Sequence, residues 1–277
     1  MLAKTKGMIL KQRSIGENDR MLTVLTSDFG VIEVSARRAK SPKSPLSAAT
    51  QLLAYSELCL FKGRQSYYIL DSAECIHTFY SLRLDVVKLA LAGYFCELSK
   101  TLSPSADTAW EFLRLLLNTL YLLQEDRLPA DLLKAIFELR ALSAAGFMPN
   151  LVGCSECGQF EAEEVCFFPL DGILICESCG AGTPMWKEDV LRVPLPPPVL
   201  SAMRHIIFSE PERMFRFQLT GNSLSRLCWV AQQYALLHTE GNFKSLEIYQ
   251  SMKLPESTDR KENFPELGEK QRKNDDT

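Results

Sequence analysis

Through the first eighty or so positions, apolar residues come in short bursts separated by polar, glycine-containing turns. Five of these runs, at 4–12, 21–27, 31–36, 57–62 and 66–73, have strand character. The punctuation between them is turn chemistry: Gly16-Glu17-Asn18-Asp19, Ser27-Asp28-Phe29-Gly30 and Lys62-Gly63-Arg64, with Pro42 and Pro45 marking a longer loop. Five short strands without a long helix predict a small barrel, and the five-stranded OB-fold is the natural candidate.

After Phe79 the apolar spacing lengthens to three and four residues. That period predicts helices over 84–102, 108–124 and 130–145, with Pro104 and Pro129 in the connections and Gly146 and Pro149 at the last helix end. Positions 194–198 read as a proline-rich connector that is not helical inside. Two further helices are predicted at 199–208 and 223–238, the second capped by Asn222 or Ser223. The three histidines, His77, His205 and His238, sit in helical or apolar settings far apart in sequence. Past Met252 only Leu254, Phe264 and Leu267 are large and apolar, and a disordered tail is expected.

The pattern therefore predicts an α+β multidomain chain. An amino-terminal five-stranded OB-fold barrel occupies 1–79, an all-helical domain with an inserted cysteine-rich segment at 152–182 occupies 80–252, and a polar tail occupies 253–277. The most apolar stretch, 113–123, is broken by Arg114, Asn118 and Thr119 and falls short of the roughly 20 residues that span a bilayer. Residues 1–14 mix Lys4, Lys6, Lys11 and Arg13 among single apolar residues, with no apolar run to serve as a secretion signal. A cytoplasmic protein is the expectation.

Of nine cysteines, Cys59, Cys75, Cys96 and Cys228 are scattered in apolar surroundings and read as core residues. The others crowd together. Cys154-Ser155-Glu156-Cys157-Gly158 and Cys176-Glu177-Ser178-Cys179-Gly180 are two C-x2-C-G knuckles, and Asp171-Gly172 between two apolar runs predicts a hairpin that brings them together. Four thiolates at this spacing suit one structural Zn2+ and leave no open position for catalysis. Unligated thiols or a redox dithiol are the alternative, and Cys166 is left as a spare core residue.

The formal net charge of −3 conceals a division. Residues 1–65 hold eleven cationic side chains against five carboxylates, a local +6, which leaves −9 on the remainder. The densest basic stretch is Arg37-Arg38-Ala39-Lys40-Ser41-Pro42-Lys43, in a loop where cations can follow a phosphate backbone. Phe29, Tyr55, Phe61, Tyr67 and Tyr68 interleave with these charges, and of the adjacent pair Tyr67 and Tyr68 one should point into the barrel. No phosphate-binding glycine loop, dinucleotide fingerprint or nucleophile elbow occurs, and the acidic Glu161, Glu163 and Glu164 read as a solvated turn. These features favour a non-enzymatic binding protein. A zinc-finger interaction scaffold without direct DNA binding is the alternative, and a metal-dependent nuclease a third reading.

The run Gly7-Met8-Ile9-Leu10-Lys11, then Gly16-Glu17-Asn18-Asp19-Arg20-Met21-Leu22-Thr23-Val24-Leu25-Thr26, Gly30 and Ala36-Arg37-Arg38-Ala39-Lys40 resembles the opening of the RecO family of bacterial recombination mediators. Phe137-Glu138-Leu139-Arg140, Leu142, Gly146, the two knuckles and Lys244-Ser245-Leu246 continue the resemblance over about residues 1–250. It implies an OB-fold followed by a helical domain with a zinc finger on Cys154, Cys157, Cys176 and Cys179. It also implies binding of single- and double-stranded DNA, strand annealing, and partnership with RecR and single-stranded DNA-binding protein in loading recombinase. The positions matching the family's basic surface are Lys11, Arg13, Arg20, Arg37, Arg38, Lys40 and Lys43.

Overall fold

The computed structural model describes residues 2–253 apart from 64, 103, 163, 181, 183–189 and 240. Arg64, Glu163 and the polar tail after Lys253 lie outside the described residues. Five strands, β1 (Leu2–Ile15), β2 (Asp19–Thr26), β3 (Gly30–Ala36), β4 (Tyr55–Lys62) and β5 (Tyr68–His77), close a barrel in the order β1-β2-β3-β5-β4. All neighbours are antiparallel except β3 and β5, and a short helix, α1 (Leu46–Ala49), lies between β3 and β4. This order is that of an OB-fold, as the strand pattern predicts. Strands β1 and β5 run past the predicted ends at 12 and 73, because backbone pairing continues through polar residues such as Arg13, Ser14, Glu74 and His77. Hydrophobic alternation does not register such extensions.

Ile9, Leu22, Val24, Val34, Leu58, Leu60 and Leu70 fill the barrel. Their neighbours Met8, Leu10 and Leu25 face the other way and join the core of the helical domain. The uninterrupted run Met8-Ile9-Leu10 follows from this, since a strand buried on both faces has no reason to alternate. At the β2–β3 turn Gly30 has φ +67°, and a Cβ there would stand 2.2 Å from the Pro104 carbonyl oxygen. Only glycine lets this turn seat against the helical domain.

Helices α2 (Val86–Leu102), α3 (Ala106–Gln124) and α4 (Ala130–Ala144) follow. α2 starts two residues later than the pattern predicts, where Asp85 Oδ1 accepts from the Val87 and Lys88 amides at 2.9 and 3.1 Å. α4 is the centre of this half: Leu132, Leu133, Ile136, Phe137, Leu139 and Leu142 are buried on nearly all sides. Within the same core Lys134 and Glu138 pair at 3.0 Å, and Tyr94 donates its hydroxyl to Glu138 Oε1 at 2.8 Å. Burial pushes the Glu138 carboxyl up, against the pull of Lys134.

A small sheet of β6 (Val165–Phe168), β7 (Ile173–Cys176) and β8 (Val193–Pro194) carries the cysteine segment, with α5 (Glu177–Gly180) closing it. Helices α6 (Pro197–Phe208), α7 (Gly221–Thr239) and α8 (Lys244–Met252) complete the chain. The expected 194–198 connector is shorter than predicted, because Pro194 ends β8 and Pro197 and Pro198 form the first turn of α6, where a missing N–H costs nothing. α7 begins at Gly221, so Asn222 and Ser223 lie inside its first turn rather than ahead of it. α8 was not predicted: only Leu246 and Tyr249 of it are buried, too few to mark a period. It is held by polar contacts, with Ser245 donating to Glu97 and the Tyr249 hydroxyl to Asp131 Oδ1 at 2.9 Å. No helix among the described residues is long and apolar enough to cross a membrane.

Candidate nucleic-acid interface and metal centre

Two residues apart on β1, Lys11 and Arg13 share one face, and both are exposed. Arg37, Arg38 and Lys43 are exposed on the loop between β3 and α1, with Lys40 half-buried among them. The backbone of this loop is tied to the β1–β2 turn. The Arg38 amide donates to Asp19 Oδ1 at 2.8 Å from a left-handed conformation (φ 55°), and the Lys40 amide donates to Asn18 O at 3.0 Å. Lys40 Nζ reaches Gly16 O at 3.5 Å. The basic loop therefore sits beside the turn at which β1 ends. The β1–β2 turn is one of the two loops that border the binding face of OB-folds.

Arg20 does not join them. Its Nη1 donates to Thr50 Oγ1 at 2.8 Å and to Ser47 O at 3.2 Å, which ties β2 to α1. Burial pulls its guanidinium below the ordinary value. Two carboxylates elsewhere on the barrel are occupied locally: Glu33 accepts from Thr23 Oγ1 at 2.6 Å, and Asp28 accepts from Thr5 and Ser27 at 2.5 and 2.6 Å. Those hydrogen bonds, Ser27 first, hold the Asp28 carboxyl below its usual range. Because β5 also carries Asp71 and Glu74, the excess over the whole barrel, residues 1–79, is +4 rather than the +6 counted to residue 65.

In the cysteine segment, the β6–β7 hairpin forms with Phe168 opposite Ile173 and Val165 opposite Cys176, and Gly172 turns the chain at φ +65°. The sulfurs of Cys154, Cys157, Cys176 and Cys179 all lie within 4.8 Å of one another. The knuckles differ. The first turns at Gly158 (φ +74°), whereas Cys179 and Gly180 lie in the single helical turn α5. The Cys176 amide donates to Cys154 Sγ at 3.3 Å. Ser178 Oγ is 3.1 Å from Cys176 Sγ, and this hydrogen bond is the foremost influence that brings the Cys176 thiol down to about 6. At Cys154 burial pushes the thiol up, but the amides of Cys176, Cys157 and Glu156 outweigh it. Four sulfurs so gathered can hold a metal ion. Cys166, outside the set, is half-buried in the ribbon's own small core.

Arg204 of α6 was missed by pattern reasoning, because a single arginine in a helix carries no signal. It donates to the carbonyls of Leu151, Val152 and Phe160 at 2.7, 3.1 and 3.0 Å and lies over the Phe160 ring, clamping the ribbon to the helices. The histidines are bonded into the frame as well: His205 Nε2 lies 3.1 Å from Arg213 O and His238 Nε2 2.9 Å from Pro169 O. His77, at the end of β5, meets Phe79 edge-on.

Comparison with known families matches residues 1–79 to the amino-terminal model of recombination protein O and residues 83–247 to its carboxy-terminal model. The chain belongs to the RecO family. Among RecO relatives, a DNA repair protein RecO of Alkaliphilus metalliredigens is 33% identical over 250 residues, covering 90% of this chain and 98% of that protein. A DNA repair protein RecO of Acetivibrio thermocellus is 31% identical over 250 residues, covering 90% and 96%. That of Symbiobacterium thermophilum is 32% identical over 256 residues, covering 91% and 98%. Membership of the RecO family supports a role in DNA repair and recombination.

Proposed function

We propose that this RecO-family chain is a non-enzymatic DNA-binding mediator of recombination. Its barrel takes single- and double-stranded DNA by the phosphates, it anneals complementary strands, and it helps load recombinase on DNA coated by single-stranded DNA-binding protein. The observation that supports the reading is the joining of the Arg37–Lys43 loop to the β1–β2 turn, which sets this basic loop beside the end of β1 that carries Arg13. Phosphate contacts of this kind are indifferent to sequence, as a mediator that must act anywhere requires. RecR and single-stranded DNA-binding protein are the protein partners in this reading, and the protein works on the nucleoid in the cytoplasm.

The four cysteines hold one structural Zn2+. A tetrahedron with Zn–S bonds of about 2.3 Å has S···S edges of about 3.8 Å, and Cys157 and Cys176 sulfurs are 3.8 Å apart. Zinc so bound supplies folding energy to the ribbon and no chemistry to a substrate.

The test is a titration of labelled single- and double-stranded oligonucleotides between about 50 and 200 mM salt, a range over which several phosphate contacts lose orders of magnitude in affinity. It is paired with an annealing assay with and without single-stranded DNA-binding protein. Salt-sensitive binding with annealing and no cleavage supports the mediator. Binding that is absent, or flat with salt, overturns it.

A further inference from the structure

The barrel has a second end. Strand direction puts the β2–β3 and β4–β5 turns together there, away from α1 and the basic loop. Lys62 and Tyr68 are direct cross-strand partners on the inward-facing side, continuing the row of Leu60 and Leu70 that fills the barrel. At this mouth Tyr68 leans on the barrel core, and Lys62 Nζ stands 5.2 Å from its ring centroid. Phe29, from the β2–β3 turn, lies nearly parallel to Tyr68, with centroids 6.0 Å apart and 26° between planes. Rings at that separation are laterally offset, so neither covers the other's face completely.

Phe29 is 37% exposed, yet the backbone beneath it is locked. Its amide donates to Thr26 Oγ1 at 3.0 Å, and that fully buried hydroxyl donates to Gly30 O at 2.9 Å. Gly30 is in turn pressed against Pro104. An exposed aromatic ring on an immobilised turn, beside a second ring and an ammonium group, gives a base a flat platform at little ordering cost. The barrel's fill does not require this ring, since Phe29 is no part of its core.

We propose that Phe29 and Tyr68 form a base-stacking site at this mouth, with Lys62 meeting the phosphate of the stacked nucleotide, and that the site adds affinity for unpaired strands that a duplex does not share. This rests on the DNA-binding reading above. The basic loop meets phosphates that both forms of DNA share, whereas only an unpaired strand can turn a base face toward Phe29. The eight residues of β2 separate the two sites by about 25 Å. A strand that engages both must therefore span several nucleotides, within the roughly 4–16 that one OB-fold covers.

The experiment measures affinity of the full-length chain for one oligonucleotide, single-stranded and as a duplex, at fixed salt, with 2-aminopurine fluorescence reporting stacking. Phe29→Leu keeps the apolar contact with Tyr68, removes the ring and guards against misfolding. It should weaken single-strand binding by about 5- to 150-fold, the loss of one stacked base, and abolish the fluorescence quench. Duplex affinity should stay within about twofold, and Phe29→Trp should restore both single-strand signals. An equal loss for single strand and duplex, or no loss for either with wild-type binding still salt-sensitive, overturns the stacking site and leaves the phosphate reading standing. Wild-type binding that is absent or flat with salt overturns the DNA reading itself.

Discussion

The barrel and the helical domain treat charge in opposite ways. The barrel keeps its core small and, among its described residues, without buried charge, and its densest cations lie outside on a loop fixed by backbone hydrogen bonds. The helical domain has a far larger core and buries an ion pair within it, Lys134 with Glu138, satisfied by Tyr94. Exposed cations contribute little to stability but much to long-range attraction for a polyanion. A buried pair contributes little net stability, yet the loss of one partner is costly. One half presents its charge to solvent, and the other encloses a charged pair within the core against which ribbon and terminal helix pack.

The largest expected effect lies in the ribbon. Cys154→Ser removes a buried ligand that also accepts the Cys176 amide, and structural zinc is worth about 10–16 kcal/mol in finger peptides. Zinc content should fall toward zero and limited proteolysis should cut within 154–180, while single-strand affinity through the barrel changes little. Next comes Lys134→Met, which strands Glu138 in the core and should cost about 3–5 kcal/mol by urea denaturation. Adding Glu138→Gln should recover much of that. The sign with pH follows from Glu138: its carboxyl is raised by burial, so the folded state keeps the proton to higher pH than the unfolded. Stability from this group is thus lost as pH rises, and the Lys134→Met defect should be smaller near pH 4 than near pH 7.

Within the barrel, Arg20→Ala should cost about 1–3 kcal/mol through its lost bonds to α1, whereas Arg13→Ala should stay within about 0.5 kcal/mol and show itself in DNA affinity instead. The smallest effect is at Asp28. Hydrogen bonds lower its carboxyl, so the stability it lends is present above the ordinary carboxylate range and lost as pH falls through its folded value. Asp28→Asn should blunt the acid sensitivity of the barrel, the reverse of the Glu138 dependence, in a circular-dichroism titration.

The strands and main helices were legible because their apolar faces repeat with period two or with spacings of three and four. The barrel's closure was legible only as a class, since the parallel β3–β5 contact spans two residue pairs and leaves no pattern. The cysteine set could be read in full from two short spacings. Arg20 and Arg37 look alike in a sequence, and what separates them is the proximity of Thr50 to one and solvent to the other. α8 was hidden for a related reason: it is short, buries only Leu246 and Tyr249, and its polar bonds reach Glu97 and Asp131, which are distant in the chain.

If the joined loop and turn of the barrel hold DNA by its phosphates, salt must compete with them there. The most direct measurement is the slope of log affinity for single-stranded DNA against log salt, in wild type and in the combined Arg37→Glu, Arg38→Glu, Lys40→Glu variant. Each lost phosphate contact flattens that slope by about 0.7, so a steep wild-type slope should flatten by about 2 in the variant, with affinity lowered for all sequences alike. A variant slope equal to that of the wild type would contradict it.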